Sequence, residues 1–91
     1  MADPVINCSI SGHAAEELRR RGLDEAVVRR VLSAPEQREA VRSGRDVLQS
    51  RFELEGKTYL VRVFVDVNRD PPVVVTAYRT SKVEKYWRTP S

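Results

Sequence analysis

The chain begins with two short stretches of helical spacing and then changes period. Ala14 and Leu18 stand four apart, preceded by Ser11 as a helix N-cap and followed by Gly22, which suits the left-handed position that ends a helix. This predicts a first helix from Gly12 to Arg21, with Arg19, Arg20 and Arg21 in the last turn, where cations suit the helix dipole. Asp24 caps a second helix, Glu25 to Ser33, whose stripe is Val27, Val28, Val31 and Leu32; Pro35 stops it. Beyond Pro35 the apolar residues alternate. Leu48, Phe52 and Leu54 alternate with Gln49, Arg51 and Glu53, which predicts a strand from Val47 to Leu54.

Glu55-Gly56 is a compact turn into Lys57–Val67, the longest and most apolar strand, with Tyr59, Val61, Val63, Val65 and Val67 on one face and Leu60, Arg62 and Phe64 on the other. Pairing Leu54 with Lys57 sets Phe52 against Tyr59 and Leu48 against Val63. A slip of one residue would bury Arg51 and Gln49 instead. After the turn cluster Asn68–Pro72 comes a strand from Val73 to Arg79. One of its registers places Ala77 and Arg79 on the face of Arg51 and Arg62, as a basic sheet surface. Glu36–Val41 reads as a weak edge strand. Ser81-Lys82-Val83-Glu84 fits a capping box that opens a short last helix. The expected fold class is α+β: two N-terminal helices packed on a three- to four-stranded antiparallel sheet, with a short C-terminal helix. Leu18, Val28, Val31, Leu32, Tyr59, Val61, Val63 and Val65 are its expected core.

Length and composition narrow the picture. Ninety-one residues without repeats or a Gly/Ser linker make one domain, 1–91, with a modest core. No apolar run approaches the roughly 20 residues of a membrane span, and the N-terminus has no signal-peptide pattern. One cysteine, Cys8, and one histidine, His13, leave no disulfide and no zinc cluster, so no metal or cofactor is expected and the setting reads as cytoplasmic. Cys8 reads as a small buried hydrophobe. The formal charge of +3 has a location: residues 71–91 hold Arg79, Lys82, Lys85 and Arg88 against Glu84 alone. Such a surface attracts phosphates or an acidic partner.

Two segments resemble the DUF4258 family. Ile10-Ser11-Gly12-His13-Ala14 with Arg21-Gly22-Leu23 is similar to its opening, and Val74-Val75-Thr76-Ala77-Tyr78-Arg79-Thr80-Ser81-Lys82 with Lys85-Tyr86 is similar to its ending. The resemblance implies a small RelE-like fold related to the RelE/BrnT ribonuclease toxins. By analogy it implies a metal-independent endoribonuclease that works beside a small acidic antitoxin protein. The family often has an arginine four residues after the histidine, where Glu17 stands here.

Metal-independent RNA cleavage uses the RNA's own 2′-OH as nucleophile. It needs a base for that proton, cations for the phosphate and an acid for the leaving oxygen. His13, Arg79, Lys82 and Tyr86 are the catalytic candidates. Arg51, Arg62, Lys85 and Ser81 are the RNA-binding ones. A shared site requires His13 to meet the Arg79–Tyr86 segment where the last helix begins. Each residue also has a plainer role: His13 as a space-filling cap, Ser81 as a helix cap, Lys82 and Lys85 as solvated charges, and Trp87 as an anchor for the last helix. A non-catalytic module binding RNA or an acidic partner, and an inactivated toxin suggested by Glu17, stay open beside the enzyme.

Overall fold

The computed structural model describes residues 2–89. The elements are α1 (Gly12–Arg20), α2 (Glu25–Ser33), β1 (Gln37–Arg42), β2 (Arg45–Leu54), β3 (Lys57–Asp66), β4 (Val73–Thr80) and α3 (Val83–Tyr86). The four strands form one antiparallel meander in the order β1-β2-β3-β4. The arrangement is α+β, as the change of period predicts. None of the described helices is long and apolar enough to cross a membrane.

The caps of the first two helices follow from their sequences. Ser11 Oγ accepts from the Ala14 amide at 3.0 Å, and Asp24 Oδ1 accepts from that of Ala26 at 3.1 Å. Gly22 has φ +73°, a conformation that L side chains resist, so it can end α1 where other residues would be strained. Val28, Val31 and Leu32 of α2 and Leu18 of α1 are buried against Leu48, Val61, Val63, Val65 and Ala77 of the sheet. Val5 and Cys8, from the segment before α1, close the same core. Burial raises the Cys8 thiol above its usual range, as fits a packing residue.

The β2–β3 hairpin has the predicted register: Leu54 opposite Lys57, Phe52 opposite Tyr59, Gln49 opposite Arg62 and Leu48 opposite Val63. Its two-residue turn has positive φ at both Glu55 (54°) and Gly56 (76°), the twist that antiparallel hairpins favour. The expected edge strand is present as β1, at one edge of the sheet, and pairs with β2 from Gln37 to Arg42.

Three expectations are corrected. Tyr59 is only half-buried, paired with the half-buried Phe52 close to the β2–β3 turn. Arg79 and Ala77 lie on the helix side, not with Arg51 and Arg62. Val65 pairs with Val74, and continuing that register would put Ala77 opposite Arg62 and Arg79 opposite Leu60. A β-bulge at Val75 shifts it, so that Tyr78 meets Arg62 and Arg79 meets Val61. Finally, Ser81 does not cap α3. Lys82 holds the N-cap position without a side-chain cap, and Thr80 Oγ1 accepts from the Lys82 amide at 3.1 Å.

Candidate nucleic-acid interface

The sheet face away from α1 and α2 carries a polar row. Gln37, Gln49, Arg62 and Tyr78 are register neighbours, one from each strand. Arg62 Nε donates to Gln49 Oε1 at 2.9 Å, and Arg62 Nη1 donates to Tyr78 Oη at 2.6 Å. Gln49, 3% exposed, donates from Nε2 to Gln37 Oε1 at 2.8 Å and to the Tyr86 carbonyl at 3.1 Å. Gln37 donates to the Arg88 carbonyl at 2.6 Å and accepts from the Arg88 amide at 3.1 Å. Two glutamines thus tie the C-terminal segment to the sheet. Among the described residues no buried side-chain nitrogen or oxygen lacks a partner, as a polar cluster at low dielectric requires.

Aromatic rings surround the guanidinium. Arg62 Cζ stands 4.3 Å from the Tyr86 ring centroid, 5.3 Å from that of Phe64 and 5.7 Å from that of Tyr78. Tyr78 stacks on Phe64 at 6.0 Å and meets Tyr86 edge-on at 6.2 Å. Arg38, Arg45, Arg51 and Arg88 each hold a carboxylate, on Asp46, Asp66, Glu36 and Glu39 respectively. Among the described residues Arg62 has no carboxylate within ion-pair distance. Glu39 lines the same groove, but the Arg88 hydrogen bond engages it and holds its carboxyl below the usual range.

Tyr86 has an acidified phenol. A hydrogen bond with the Tyr78 side chain, then the charges of Lys85 and Arg62, hold it below the ordinary 10.0, against the opposing effect of burial. A groove of about 580 Å³ opens here, lined by Gln37, Gln49, Arg62, Lys85, Tyr86 and Trp87 among others. It brings together an arginine with no carboxylate within ion-pair distance among the described residues, a lysine and a tyrosine whose phenol lies below its ordinary pKa. Such a set can hold a phosphate and accept a proton beside it.

The residues singled out from sequence divide in two. Arg62, Lys85 and Tyr86 meet in this groove. Arg51 shares the face, stacked 4.0 Å over Trp87 and bound to Glu36 at 2.9 Å, so Trp87 does anchor the C-terminal segment. Ser81 and Lys82 lie beside them in an adjoining groove.

His13 and Arg79 are elsewhere. The His13 side chain is 86% exposed on α1, 3.9 Å from Glu17 and beside Val74–Thr76, at the start of β4. Arg79 lies at the other end of that strand, on the helix side, 5.1 Å over the Tyr59 ring and against Gly22. The shared His13–Arg79–Tyr86 site is therefore not formed. The reason is the direction of α1, which runs alongside β4. Ser9, ahead of the helix, bridges Val73, while Arg21 at its end donates to Thr76 and Ala77. Glu17 belongs to the helix layer too, next to His13, Arg20 and Arg21, so its charge lies outside the groove.

Gln37, Gln49 and Phe64 are site residues that the sequence does not single out. One signal for Gln49 was present: a glutamine inside Val47-Leu48-Gln49-Ser50, four consecutive buried positions of β2. Among the described residues no group of three or more His, Cys, Asp or Glu side chains is placed to hold a metal ion.

A family model described as "Domain of unknown function (DUF4258)" matches residues 10–79. No curated protein and no solved structure matches the chain. The family match ends at Arg79, so it includes Gln37, Gln49, Arg62 and Tyr78 but stops before Lys85 and Tyr86.

Proposed function

The chain belongs to the DUF4258 family, and we propose that it is a toxin-like RNA-binding protein, related to the RelE/BrnT ribonucleases, that cleaves RNA without a metal ion. In this reading it acts in the cytoplasm and is restrained by a small acidic antitoxin. The observation that carries the proposal is the Arg62–Tyr86 pair: a cation with no carboxylate within ion-pair distance among the described residues, stacked on a phenol of lowered pKa. The acting residues are then Arg62, Lys85 and Tyr86, with His13 and Arg79 outside the site.

The groove supplies each role of the reaction. Arg62 binds the scissile phosphate; its Nε and Nη1 are fixed by Gln49 and Tyr78, which orients the plane of the guanidinium. The Tyr86 phenolate takes the proton of the 2′-OH, whose oxygen then attacks phosphorus. Lys85, 5.4 Å from the Tyr86 ring centroid, gives a proton to the departing 5′-oxygen. The 2′-O–P bond forms as the P–O5′ bond breaks, leaving a 2′,3′-cyclic phosphate and a 5′-hydroxyl.

The test is cleavage of RNA in EDTA, with and without ribosomes, with the new ends identified. Cyclic phosphate ends are expected, and Arg62→Ala should lower kcat by about 10²–10³-fold, the usual loss when one donor to the developing charge is removed. RNA bound through Arg62 but left intact would favour the non-catalytic module. No RNA binding at low salt would count against the enzyme and favour the module that binds an acidic partner protein.

A further inference from the structure

Two grooves, not one, meet at the C-terminal segment. Beside the groove of Arg62 lies a second of about 740 Å³, lined by Arg51, Thr58, Lys82, Val83, Lys85 and Trp87 among others. Lys85 and Trp87 line both. The first contains the hydrogen-bonded row of Gln37, Gln49 and Arg62. The second is lined by Trp87, Val83 and Thr58, with Lys82 and Lys85 outnumbering one acid, Glu84. Neither lysine has a carboxylate within ion-pair distance among the described residues, whereas Arg51 is committed to Glu36. A cationic track with an aromatic between two hollows is how sequence-tolerant single-strand sites are built, the cations following the backbone and the rings taking bases.

We infer that the second groove is a nucleobase subsite, so that the ligand is single-stranded RNA of at least two nucleotides. Its phosphate sits on Arg62 and the base of the flanking nucleotide sits against Trp87. A second phosphate lies within reach of Lys82. This rests on the RNA reading of the Arg62 groove and adds strandedness and minimum length to it. A duplex is excluded by the same geometry, because its bases are stacked and paired and cannot enter a side pocket.

Trp87 is the chain's one tryptophan, so its fluorescence reports on the wall that the two grooves share, and the abasic probes separate the subsite from the Arg62 groove. The probes are a 2′-O-methyl trinucleotide, which lacks the attacking hydroxyl and stays intact, and the same molecule made abasic at either end. The full trinucleotide should quench Trp87. Removing one particular terminal base should abolish the quenching and weaken binding about tenfold, the usual scale of one base–aromatic stack. Trp87→Phe should keep the preference for the full trinucleotide and Trp87→Leu should erase it.

Should Trp87→Leu unfold the segment, Lys82→Ala serves instead. It should weaken the trinucleotide while leaving a nucleoside 3′-monophosphate unaffected. Equal affinity of the abasic and full trinucleotides, or equal competition by duplex RNA, would overturn the subsite. If binding then still depends on Arg62, the RNA reading survives; if nothing binds, or Arg62→Ala changes nothing, the RNA reading itself has failed.

Discussion

Along β3, Val61, Val63 and Val65 face the helices, while Arg62 and Phe64 between them face the C-terminal segment. The two faces of the sheet are built on different physics. The helix face is apolar across its centre: Leu48, Val61, Val63, Val65, Val28 and Val31 are wholly buried. Each such side chain stabilises the fold by about 1.5–3 kcal/mol relative to exposure. The opposite face buries a glutamine and holds a half-buried arginine by hydrogen bonds and ring contacts. A satisfied hydrogen bond contributes only about 1 kcal/mol net, and well-packed apolar residues often replace buried polar ones at no loss. The helix face accounts for most of the stability. The opposite face adds the burial of Leu60 and Val47, while its polar row contributes little and orients a guanidinium, which is what ligand binding requires.

Substitutions on the two faces should therefore fail differently. Val63→Asp places an unpaired charge among wholly buried side chains and should destabilise by several kcal/mol, enough to unfold most of the protein; urea denaturation followed by circular dichroism measures it. Arg62→Met should cost about 1–2 kcal/mol, because Gln49 and Tyr78 each lose a hydrogen-bond partner. It should still fold, with RNA binding lost. An Arg62→Met protein that unfolds as completely as Val63→Asp would erase the distinction between the faces.

Smaller still is the acid response at the sheet's rim. The Arg51 hydrogen bonds lower the Glu36 carboxyl from 4.5, and those of Arg45 lower Asp66 from 3.8. A carboxyl with a depressed folded-state pKa stabilises the fold above its unfolded value, and loses that contribution as pH falls through its folded one. Stability should thus decline below about pH 4.5, and Glu36→Gln should flatten the upper part of that decline in pH-dependent melting curves. Smallest is His13→Ala, at an exposed position on the helix layer. It should leave melting within about 0.5 kcal/mol and RNA cleavage unchanged, whereas a large loss of cleavage would move the site to the other face.

Sequence made the helix face legible because its signal is periodic. The stripe of α2 and the alternation of β3 each force one orientation, and the two-residue turn at Glu55-Gly56 then fixes the β2–β3 register. The register of β4 was not legible, since Val73-Val74-Val75 is apolar throughout and any of the three suits the core. The bulge at Val75 leaves no mark in such a run, and it decides that Tyr78 rather than Arg79 joins Arg62. The cap of α3 was ambiguous for a similar reason, with Thr80 and Ser81 adjacent and both able to accept from an amide. Arg62, Lys85 and Tyr86 were recognisable as candidates by chemical type. That they meet, and that His13 does not join them, depends on the direction of α1, which local spacing does not encode.

The most direct test of the central claim is the pH–rate profile of RNA cleavage for the native chain and for Tyr86→Phe, with folding verified by melting. If the phenolate is the base, the native rate rises with pH as Tyr86 ionises, with the midpoint of the rise below pH 10.0, its ordinary value. Tyr86→Phe should then lose that rise and about 10²–10⁴-fold in rate, while melting like the native chain. A folded Tyr86→Phe protein that cleaves RNA with the native rate and pH profile would contradict the account.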